Sequence, residues 1–230
     1  YGQEVHETFS DTVYDAIYYK DHLIVHCGTK IYQDDEDHQV ATSIAEKKGL
    51  FCLYNQKLYY ICGSIYEYDG TTWGEITPYA PTIVINRHPD PTDNAGDPIE
   101  PYNMVGTAFK NNFDGDGSST AFTLTDSDLE ETTPTAVVNN EEWTYDDNLS
   151  AAKTFKIDYS TGVVTFVSAP SVGDNNVEIT AYIKKDTEWT SWNNRILKSK
   201  YYATFGGNNI SRLFLGGNGE SFAIYSEVYD

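Results

Sequence analysis

Two aspartates separated by a single glycine give this chain its most calcium-like spacing of oxygen ligands. Asp114, Asp116 and Ser118 alternate with glycines, so three oxygen-bearing side chains fall within residues 114–118. Calcium takes about six to eight oxygen ligands, and an EF-hand loop supplies a glutamate at its twelfth position. Counted from Asp114, the twelfth position is Thr125, which has no carboxylate. The spacing excludes an EF-hand and leaves two alternatives, a structural calcium ion or a plain Asp-Gly turn.

Histidine and cysteine side chains form a second candidate metal cluster. His22 and His26 are four residues apart, and Cys27 directly follows the second histidine. The local pattern is that of a strand, on which neighbouring side chains point to opposite faces. Cys27 is therefore expected to face away from His26, and three ligands do not converge on one ion. We expect ordinary strand or solvent-facing histidines.

Two acidic runs are candidates for acid–base chemistry. Residues 34–38 read Asp-Asp-Glu-Asp-His, which is typical of a solvated turn, and residues 126–131 contain four further carboxylates. Glycosidases hold their two carboxylates about 5–9.5 Å apart, whereas the second run lies in a predicted loop. A Ser-His-Asp signature, a nucleophile elbow and a phosphate-binding glycine loop are also missing from the sequence. We predict no catalytic residue, no cofactor-binding residue and no enzymatic activity.

Four aromatic residues are candidates for an interaction surface. Trp143, Tyr145, Trp189 and Trp192 lie in polar surroundings, so we expect them to be exposed. Exposed aromatic rings stack on sugars or pack against a neighbouring subunit. We favour the neighbouring subunit and keep a glycan as the alternative partner.

The first 80 residues contain an internal repeat that would place such side chains on strands. Residues 19–29 and 54–64 align at a constant offset of 35, with Tyr, Leu, Cys and Gly at matching positions. A second strand follows each glycine, and Asp69-Gly70 then supplies a tight hairpin turn. The repeat predicts compact antiparallel units of about 35 residues.

These units resemble the blades of kelch-like and related β-propellers. Their frequent blade ending Tyr-x-Tyr-Asp-Gly-x-x-Trp runs here from Tyr66 to Trp73, although propeller blades usually repeat at about 40–50 residues. The pattern resumes in Tyr201–Phe205, followed by Gly-Gly-Asn-Asn, and in residues 212–215, followed by Gly-Gly-Asn. The resemblance predicts propeller-like repeats on both sides of a central segment.

The central segment alternates apolar and polar residues, which indicates an antiparallel β-sandwich. Phe122 and Leu124 share one face, as do Val164 and Phe166, and the same period continues through residues 177–181. One buried and one solvated face is the pattern of an antiparallel sheet. The turns at 159–162 and 170–173 end in glycines, which adopt a positive φ without steric cost.

Residues 113–185 also carry a recognisable series of sequence blocks. They begin Phe-Asp-Gly-Asp-Gly-Ser-Ser-Thr-Ala-Phe-Thr-Leu and end Gly-Val-Val-Thr-Phe-Val-Ser-Ala-Pro-Ser-Val-Gly and Val-Glu-Ile-Thr-Ala-Tyr. Together these blocks resemble a module that recurs in bacteriophage tail and tail-associated proteins. The chain departs from the module where Asn139-Asn140 replaces Asn-Gly and where residues 147–153 form an extra loop.

The resemblance implies a virion structural protein, part of a phage tail or of the head–tail connector (neck), without catalysis. Its expected partners are other virion proteins or copies of itself in a ring, and its expected location is the virion, assembled in the bacterial cytoplasm. The alternative that the residues leave open is a cell-surface carbohydrate-binding or adhesion module.

The predicted fold class is therefore all-β: a partial β-propeller-like repeat domain with an inserted antiparallel β-sandwich. The predicted boundaries are 1–80 for the first repeats, 81–107 for a Pro-rich linker, 108–185 for the sandwich and 186–230 for the second repeats. The linker carries prolines at 81, 89, 91, 98 and 101, and we expect an extended arm.

The composition limits the classes of partner that the protein is expected to bind. The formal net charge of −20 disfavours binding to nucleic acids and to anionic membranes. No apolar run approaches the ~18 residues that would span a bilayer. Because the chain starts at Tyr1 and stops within a strand-like pattern, we expect a piece of a longer polypeptide. Cys27, Cys52 and Cys62 are expected to be buried thiols, with a Cys52–Cys62 bridge as the alternative.

Overall fold

The fold is all-β apart from one helix, which confirms the predicted fold class. The computed structural model describes residues 7–89, 96–206 and 211–226. Their contacts divide the chain into two compact units, Tyr1–Thr77 with Trp192–Asp230 (unit 1) and Pro78–Ser191 (unit 2). Parts of two predicted features, the Gly-Gly-Asn-Asn turn after Phe205 and the Pro-rich linker around Pro91, lie outside the described residues, as do both chain termini.

Unit 1 begins with two four-stranded antiparallel sheets that repeat each other. The first sheet consists of β1 (Val13–Tyr19), β2 (His22–Cys27), β3 (Lys30–Gln33) and β4 (Asp35–Ala41). The second sheet consists of β5 (Leu50–Tyr54), β6 (Lys57–Ile61), β7 (Ile65–Tyr68) and β8 (Trp73–Glu75). In both sheets the strands pair in chain order, as in the blade of a propeller.

The repeat extends to the backbone of the turns. Lys20 and Asp21 join β1 to β2 with φ of 49° and 66°, and Asn55 and Gln56 join β5 to β6 with φ of 48° and 61°. Two successive positive φ values define the hairpin turn whose twist matches that of the flanking strands. Both copies therefore use the same turn geometry with different residues.

The two sheets share a hydrophobic core. Ile24 and Ile31 of the first sheet are fully buried, as are Leu58 and Tyr60 of the second. Burial of each such side chain stabilises the fold by about 1.5–3 kcal/mol. At the edge of the core, the Tyr19 hydroxyl at the end of β1 donates to the Gln56 carbonyl, between β5 and β6, at 2.8 Å. This hydrogen bond connects the two sheets. On the other face of the first sheet, Val25, Cys27 and Tyr32 pack against Phe9 and Leu23.

All three cysteines are buried free thiols. Cys52 pairs across the second sheet with Tyr59, and the thiol of Cys62 lies 3.4 Å from the carbonyl oxygens of Ala45 and Lys47. The alternative of a Cys52–Cys62 bridge is therefore wrong, because the strand register gives Cys52 a different neighbour.

Unit 2 is built on a single nine-stranded sheet. Its strands are β9 (Thr82–Arg87), β10 (Asp97–Pro98), β11 (Ala108–Gly115), β12 (Ala121–Thr123), β13 (Thr135–Val138), β14 (Glu141–Tyr145), β15 (Thr154–Asp158), β16 (Val163–Phe166) and β17 (Gly173–Tyr182). They pair in the order β10-β9-β11-β17-β13-β14-β15-β16-β12. Most pairs are antiparallel, but β9 pairs with β11, and β14 with β15, in parallel.

The nine-stranded sheet curls around its own core. Phe113 on β11 meets Phe122 on β12 edge to face at 5.3 Å, although these strands are third and last in the pairing order. Phe122 in turn contacts Phe166 at 5.3 Å. The inward face is continuous with the buried residues Val164, Val177 and Ile179. The core of the predicted sandwich is therefore enclosed by one curled sheet and not by two separate sheets.

The segment predicted as a Pro-rich linker contributes two strands to this sheet. Residues 82–87 form β9 beside β11, and Pro98 lies in β10 at the sheet edge. An edge strand tolerates proline because one row of its backbone groups needs no partner. The prediction that residues 81–107 form a linker is therefore wrong for 82–87 and 97–98, which are strands of this sheet.

A helix and a third sheet complete the described chain. Helix α1 (Thr187–Leu197) covers the segment that the sequence assigned to repeats, and its first turn is capped by the carboxylate of Asp186, which accepts the N–H of Trp189 at 2.7 Å. The third sheet consists of β18 (Tyr201–Phe205), β19 (Arg212–Gly216) and β20 (Ile224–Tyr225), all antiparallel. Strand β5 contacts both β1 and β18, so the second sheet neighbours the other two sheets of unit 1.

Candidate functional site

The predicted calcium loop is a hydrogen-bonded turn in the structure. One carboxylate oxygen of Asp116 accepts the N–H groups of Ser118 and Ser119 at 2.8 and 2.6 Å, and the other accepts the Ser119 hydroxyl at 2.6 Å. These bonds hold the pKa of Asp116 well below its usual range. Asp114 accepts the N–H of Asn175 at 2.7 Å. The Asp116 carboxylate thus holds the turn between β11 and β12, and the Asp114 carboxylate joins β11 to β17. A calcium ion stays a sequence-based prediction.

Trp143 and Tyr145 lie on β14 and are half-buried against the core of unit 2. The Trp143 ring meets Phe166 edge to face at 5.2 Å, and the Tyr145 ring meets Phe155 at 5.9 Å. The Tyr145 hydroxyl donates to Asp147 at 2.5 Å, and this bond raises the pKa of the phenol. The expectation that these two rings are exposed is wrong, because the sheet curls so that both rings pack against its core.

Trp189 and Trp192 on α1 are also half-buried and have partners within their own units. The indole N–H of Trp189 donates to the carbonyl of Gly106 at 3.3 Å. The guanidinium of Arg195 lies 4.2 Å from the centre of the Trp192 ring, and Phe222 lies 6.2 Å from it. The structure therefore brings together only Trp143 and Tyr145 of the four predicted residues.

The histidines near the chain start have separate environments. Nδ1 of His22 lies 2.6 Å from a carboxylate oxygen of Asp34, and Nδ1 of His38 lies 2.7 Å from Asp35. These contacts lower the pKa of both aspartates. Within the described part of the chain, no three His, Cys, Asp or Glu side chains are grouped so that they could hold a metal ion.

His26 is buried in the core of unit 1, which the sequence did not predict. Its Nδ1 lies 2.7 Å from the Tyr60 hydroxyl, and its Nε2 has no hydrogen-bond partner among the described residues. Asp15 occupies the cross-strand position opposite. Burial lowers the pKa of His26 and raises that of Asp15. Both faces of β2 are covered, so alternation along this strand could not indicate which residues are buried.

The third sheet presents an aromatic face, which the sequence indicated only as an apolar strand pattern. We call it the C-terminal aromatic face. Alternate residues of β18 and their cross-strand partners on β19 and β20 share this face, namely Tyr201, Ala203, Phe205, Arg212, Phe214 and Tyr225. The exposed fractions of Tyr201 and Phe205 are 71% and 77%.

Internal contacts order part of the C-terminal aromatic face. The guanidinium of Arg212 lies 5.0 Å from the centre of the Tyr225 ring, and Phe214 lies 5.9 Å from the same ring. The Tyr201 ring lies over Gly217, where an added Cβ would approach it to 2.6 Å. Among the described residues this face combines large exposed rings and a cation on a β-sheet, a composition typical of recognition surfaces.

Comparison with protein-family models, curated proteins and solved structures gave no match. The described residues include no helix of the length and apolar character needed to cross a membrane. In the described residues, the fold and the site define an all-β protein with propeller-like repeats, a second β unit inserted between them in the sequence, and an exposed aromatic face.

Proposed function

We propose that this chain is a non-enzymatic structural protein of a bacteriophage virion, a component of the tail or of the head–tail connector. Its rigid β units supply surfaces for assembly with other virion proteins or with copies of itself in a ring. The proposal places the protein in the virion and gives it no catalytic step.

The observation that carries the proposal is the structural role of the residues in the phage-like blocks. Gly162 has a φ of 71°, and a Cβ at this position would lie 2.0 Å from the carbonyl oxygen of Asp126. Phe122 and Phe166 form the centre of the core, and Asp116 closes the turn of the first block. The blocks that resemble the phage module therefore coincide with the residues that build unit 2.

One of the two departures from the phage pattern, Asn139-Asn140 in place of Asn-Gly, is accommodated locally. Asn139 and Asn140 have φ of 52° and 63°, which is the geometry that the usual Asn-Gly pair would adopt. They join β13 to β14 as a two-residue hairpin. The side chain of Asn139 also donates to Ser171 at 3.0 Å. This departure therefore does not weaken the resemblance at the level of the fold.

Detection of the chain in purified particles tests the proposal. We expect its peptides in gradient-purified tailed particles from the host that carries the gene, in a fixed ratio to a known tail protein. Portal or terminase genes beside its gene would support the same conclusion. Absence from the particles, together with glycan binding that is lost in a Trp189→Ala/Trp192→Ala variant, would instead favour the carbohydrate-binding alternative.

A further inference from the structure

The sequence contains a single Asn-Gly pair, Asn218-Gly219, which lies in the loop between β19 and β20. In such a pair the backbone nitrogen of the glycine can attack the side-chain amide carbon, because glycine has no Cβ to block the approach. Gly219 is exposed and has a φ of 95°, and an added Cβ at this position would meet open space. The described surroundings of this glycine therefore leave room for the attack.

The side chain of Asn218 is arranged for the same reaction. Its carbonyl oxygen accepts the N–H of Glu220 at 3.1 Å. This bond holds the side-chain carbonyl against the backbone that follows Asn218, where the nitrogen of Gly219 lies, and it polarises the carbonyl carbon. The side-chain nitrogen is buried and has no hydrogen-bond partner among the described residues. Because an unpaired buried donor is unfavourable, departure of this nitrogen costs the fold no hydrogen bond.

Asn103 in unit 2 is a matched contrast, because it makes the same local hydrogen bond. Its carbonyl oxygen accepts the N–H of Val105 at 3.0 Å, and both asparagines are half-buried. The side-chain nitrogen of Asn103, however, donates to the carbonyl of Tyr79 at 2.9 Å, and the next residue is Met104. A held leaving group and a side chain on the following residue both oppose the attack. The arrangement at Asn218 is therefore more than a common turn.

We infer that Asn218 is a site of spontaneous modification, at which the chain converts its own asparagine to aspartate and isoaspartate. The Gly219 nitrogen gives its proton to solvent and bonds to Cγ of Asn218, and the Cγ–Nδ2 bond breaks to release ammonia. Water then adds to one of the two carbonyls of the succinimide and opens the ring, to aspartate or to isoaspartate. Each product carries one more negative charge than the starting chain. Water is the only co-reactant, and the inference goes beyond the proposed function.

The modified loop also holds helix α1. The Glu220 carboxylate lies 3.3 Å from Nε of Arg195, and the Arg195 guanidinium stacks on the rings of Trp192 and Phe222. Isoaspartate directs the backbone through the former side chain, which lengthens the loop and displaces the oxygen that accepts the Glu220 N–H. Modification therefore loosens the contact between this loop and α1.

Mass spectrometry of the aged full chain tests the inference. Trypsin cleaves after Arg212 and releases a peptide in which Asn218 is the only asparagine. This peptide should gain about 1 Da over days, at a rate about tenfold or more higher at about pH 8 than at about pH 6, because loss of the Gly219 proton limits the reaction. Methylation by protein isoaspartyl methyltransferase identifies the isoaspartate product. Asn103 should stay unmodified in the same samples.

Two variants separate the chemistry of the pair from the effect of the fold. Asn218→Gln keeps a side-chain amide but requires a larger ring, so it should abolish the modification. Met104→Gly replaces an exposed side chain and gives Asn103 a glycine neighbour. In urea, Asn103 of this variant should react about as fast as Asn218. In the folded chain it should react about fivefold more slowly, because its nitrogen is bonded to Tyr79.

Native trypsin digestion tests the effect on helix α1. Anion exchange separates the modified chain by its additional negative charge. The modified fraction should be cleaved after Arg195 about threefold faster than the unmodified fraction, because a looser loop lets this part of the helix open more often. Asn218→Gln aged in parallel is the control, and its cleavage rate should not change with time.

Three results would overturn the inference: an intact Asn218 after prolonged incubation at alkaline pH, a rate that does not depend on pH, or equal rates for Asn103 and Asn218 in folded Met104→Gly. Equal cleavage of the modified and unmodified fractions after Arg195 would refute the loosening of α1 alone. Detection of the chain in phage particles is independent of all these measurements, so the proposed function and this inference fail separately.

Discussion

His26 combines a titratable ring with a position in the core of unit 1. Its neighbours are Tyr60, which is hydrogen-bonded to it, Asp15 opposite it, and Tyr14, whose ring centre lies 5.0 Å away. The Tyr60 ring in turn stacks on Phe51 at 4.0 Å. Protonation of His26 would place a charge within this packed cluster, so the neutral ring is the form that the fold accommodates.

The lowered pKa of His26 predicts that unit 1 loses stability in mild acid. The unfolded chain takes up a proton near the ordinary pKa of 6.5, whereas folded His26 stays neutral to lower pH. Its contribution is fully present above about pH 6.5 and falls below it by up to about 1.4 kcal/mol per pH unit. Urea titrations at about pH 7.5 and about pH 5.5 should show a larger loss for the wild type than for His26→Leu.

His38 provides the control for this measurement. Its contact with Asp35 raises its pKa, so its contribution grows as the pH falls, with a sign opposite to that of His26. His38→Asn should therefore keep or enlarge the acid-induced loss of stability. An equal pH dependence of His26→Leu and the wild type would contradict the assignment to His26.

The sequence predicts which side chains are buried in part of unit 2, but it does not predict burial in unit 1. In unit 2, the alternation of β12 and β16 identifies Phe122, Val164 and Phe166 correctly as core residues, because one face of that sheet is solvated. Strand β2 offers no such contrast, because Phe9 covers one face and the second sheet covers the other. Burial of His26 and exposure of Phe205 depend on which sheets meet, which the local pattern does not encode.

The two-residue turns of the repeated sheets contain residues poorly suited to their backbone. Gln56 has a φ of 61°, which glycine adopts without the steric cost of a Cβ. Gln56→Gly should stabilise the protein by about 0.5–1 kcal/mol, since a left-handed residue costs about 1–2 kcal/mol and glycine loses some of this gain as chain entropy. The free energy of unfolding in urea measures the effect.

Gln39 is the matched control for that substitution. It lies exposed on β4 and does not have a positive φ, so Gln39→Gly should destabilise the protein by about 0.5–1 kcal/mol. Gln56→Val should also destabilise, because a β-branched side chain is strained at positive φ. Destabilisation by Gln56→Gly would show that the turn geometry described here is not the one adopted in solution.

Gly162 ends the turn between β15 and β16, where both its φ and its surroundings require glycine. A Cβ would approach the carbonyl oxygen of Asp126 to 2.0 Å, and backbone cannot move aside cheaply. Gly162→Ala should destabilise unit 2 by about 2–4 kcal/mol, measured as the shift of its unfolding transition. Gly74→Ala meets open space and should change stability by less than about 1 kcal/mol. Equal effects of the two substitutions would refute the close approach at Gly162.

At the level of elements, local signals predict antiparallel hairpins well and parallel pairing poorly. The offset of 35 residues identifies both sheets of the repeat, since β3 and β7 begin 35 residues apart. Strand β9 pairs in parallel with β11 and is followed by a Pro-rich segment, so no hairpin-turn signal in the sequence predicts this pairing. Helix α1 contains two tryptophans and two asparagines of weak helix propensity, and its start signals are the Asp186 cap and Glu188 in the first turn.

At the level of the whole molecule, unit 2 is continuous in sequence and encloses its own core. The buried residues of its main core lie between Phe109 and Ala181, and a unit with its own core is able to fold alone. We expect the fragment 78–191 to unfold cooperatively in urea with a single transition. The same fragment carrying Phe166→Ala should lose about 3–5 kcal/mol and serves as the control for a packed core. A broad, non-cooperative transition of the unsubstituted fragment would contradict the division into two units.

The positions of the thiols give the protein a chemical means of following one unit at a time. All three cysteines, Cys27, Cys52 and Cys62, are buried and lie in unit 1, and the sequence of unit 2 has none. Burial raises the pKa of Cys52 to about 12, so its thiolate forms only when the second sheet opens. The rate at which an aromatic disulfide reagent modifies the native protein therefore reports opening of the repeated sheets and not of unit 2.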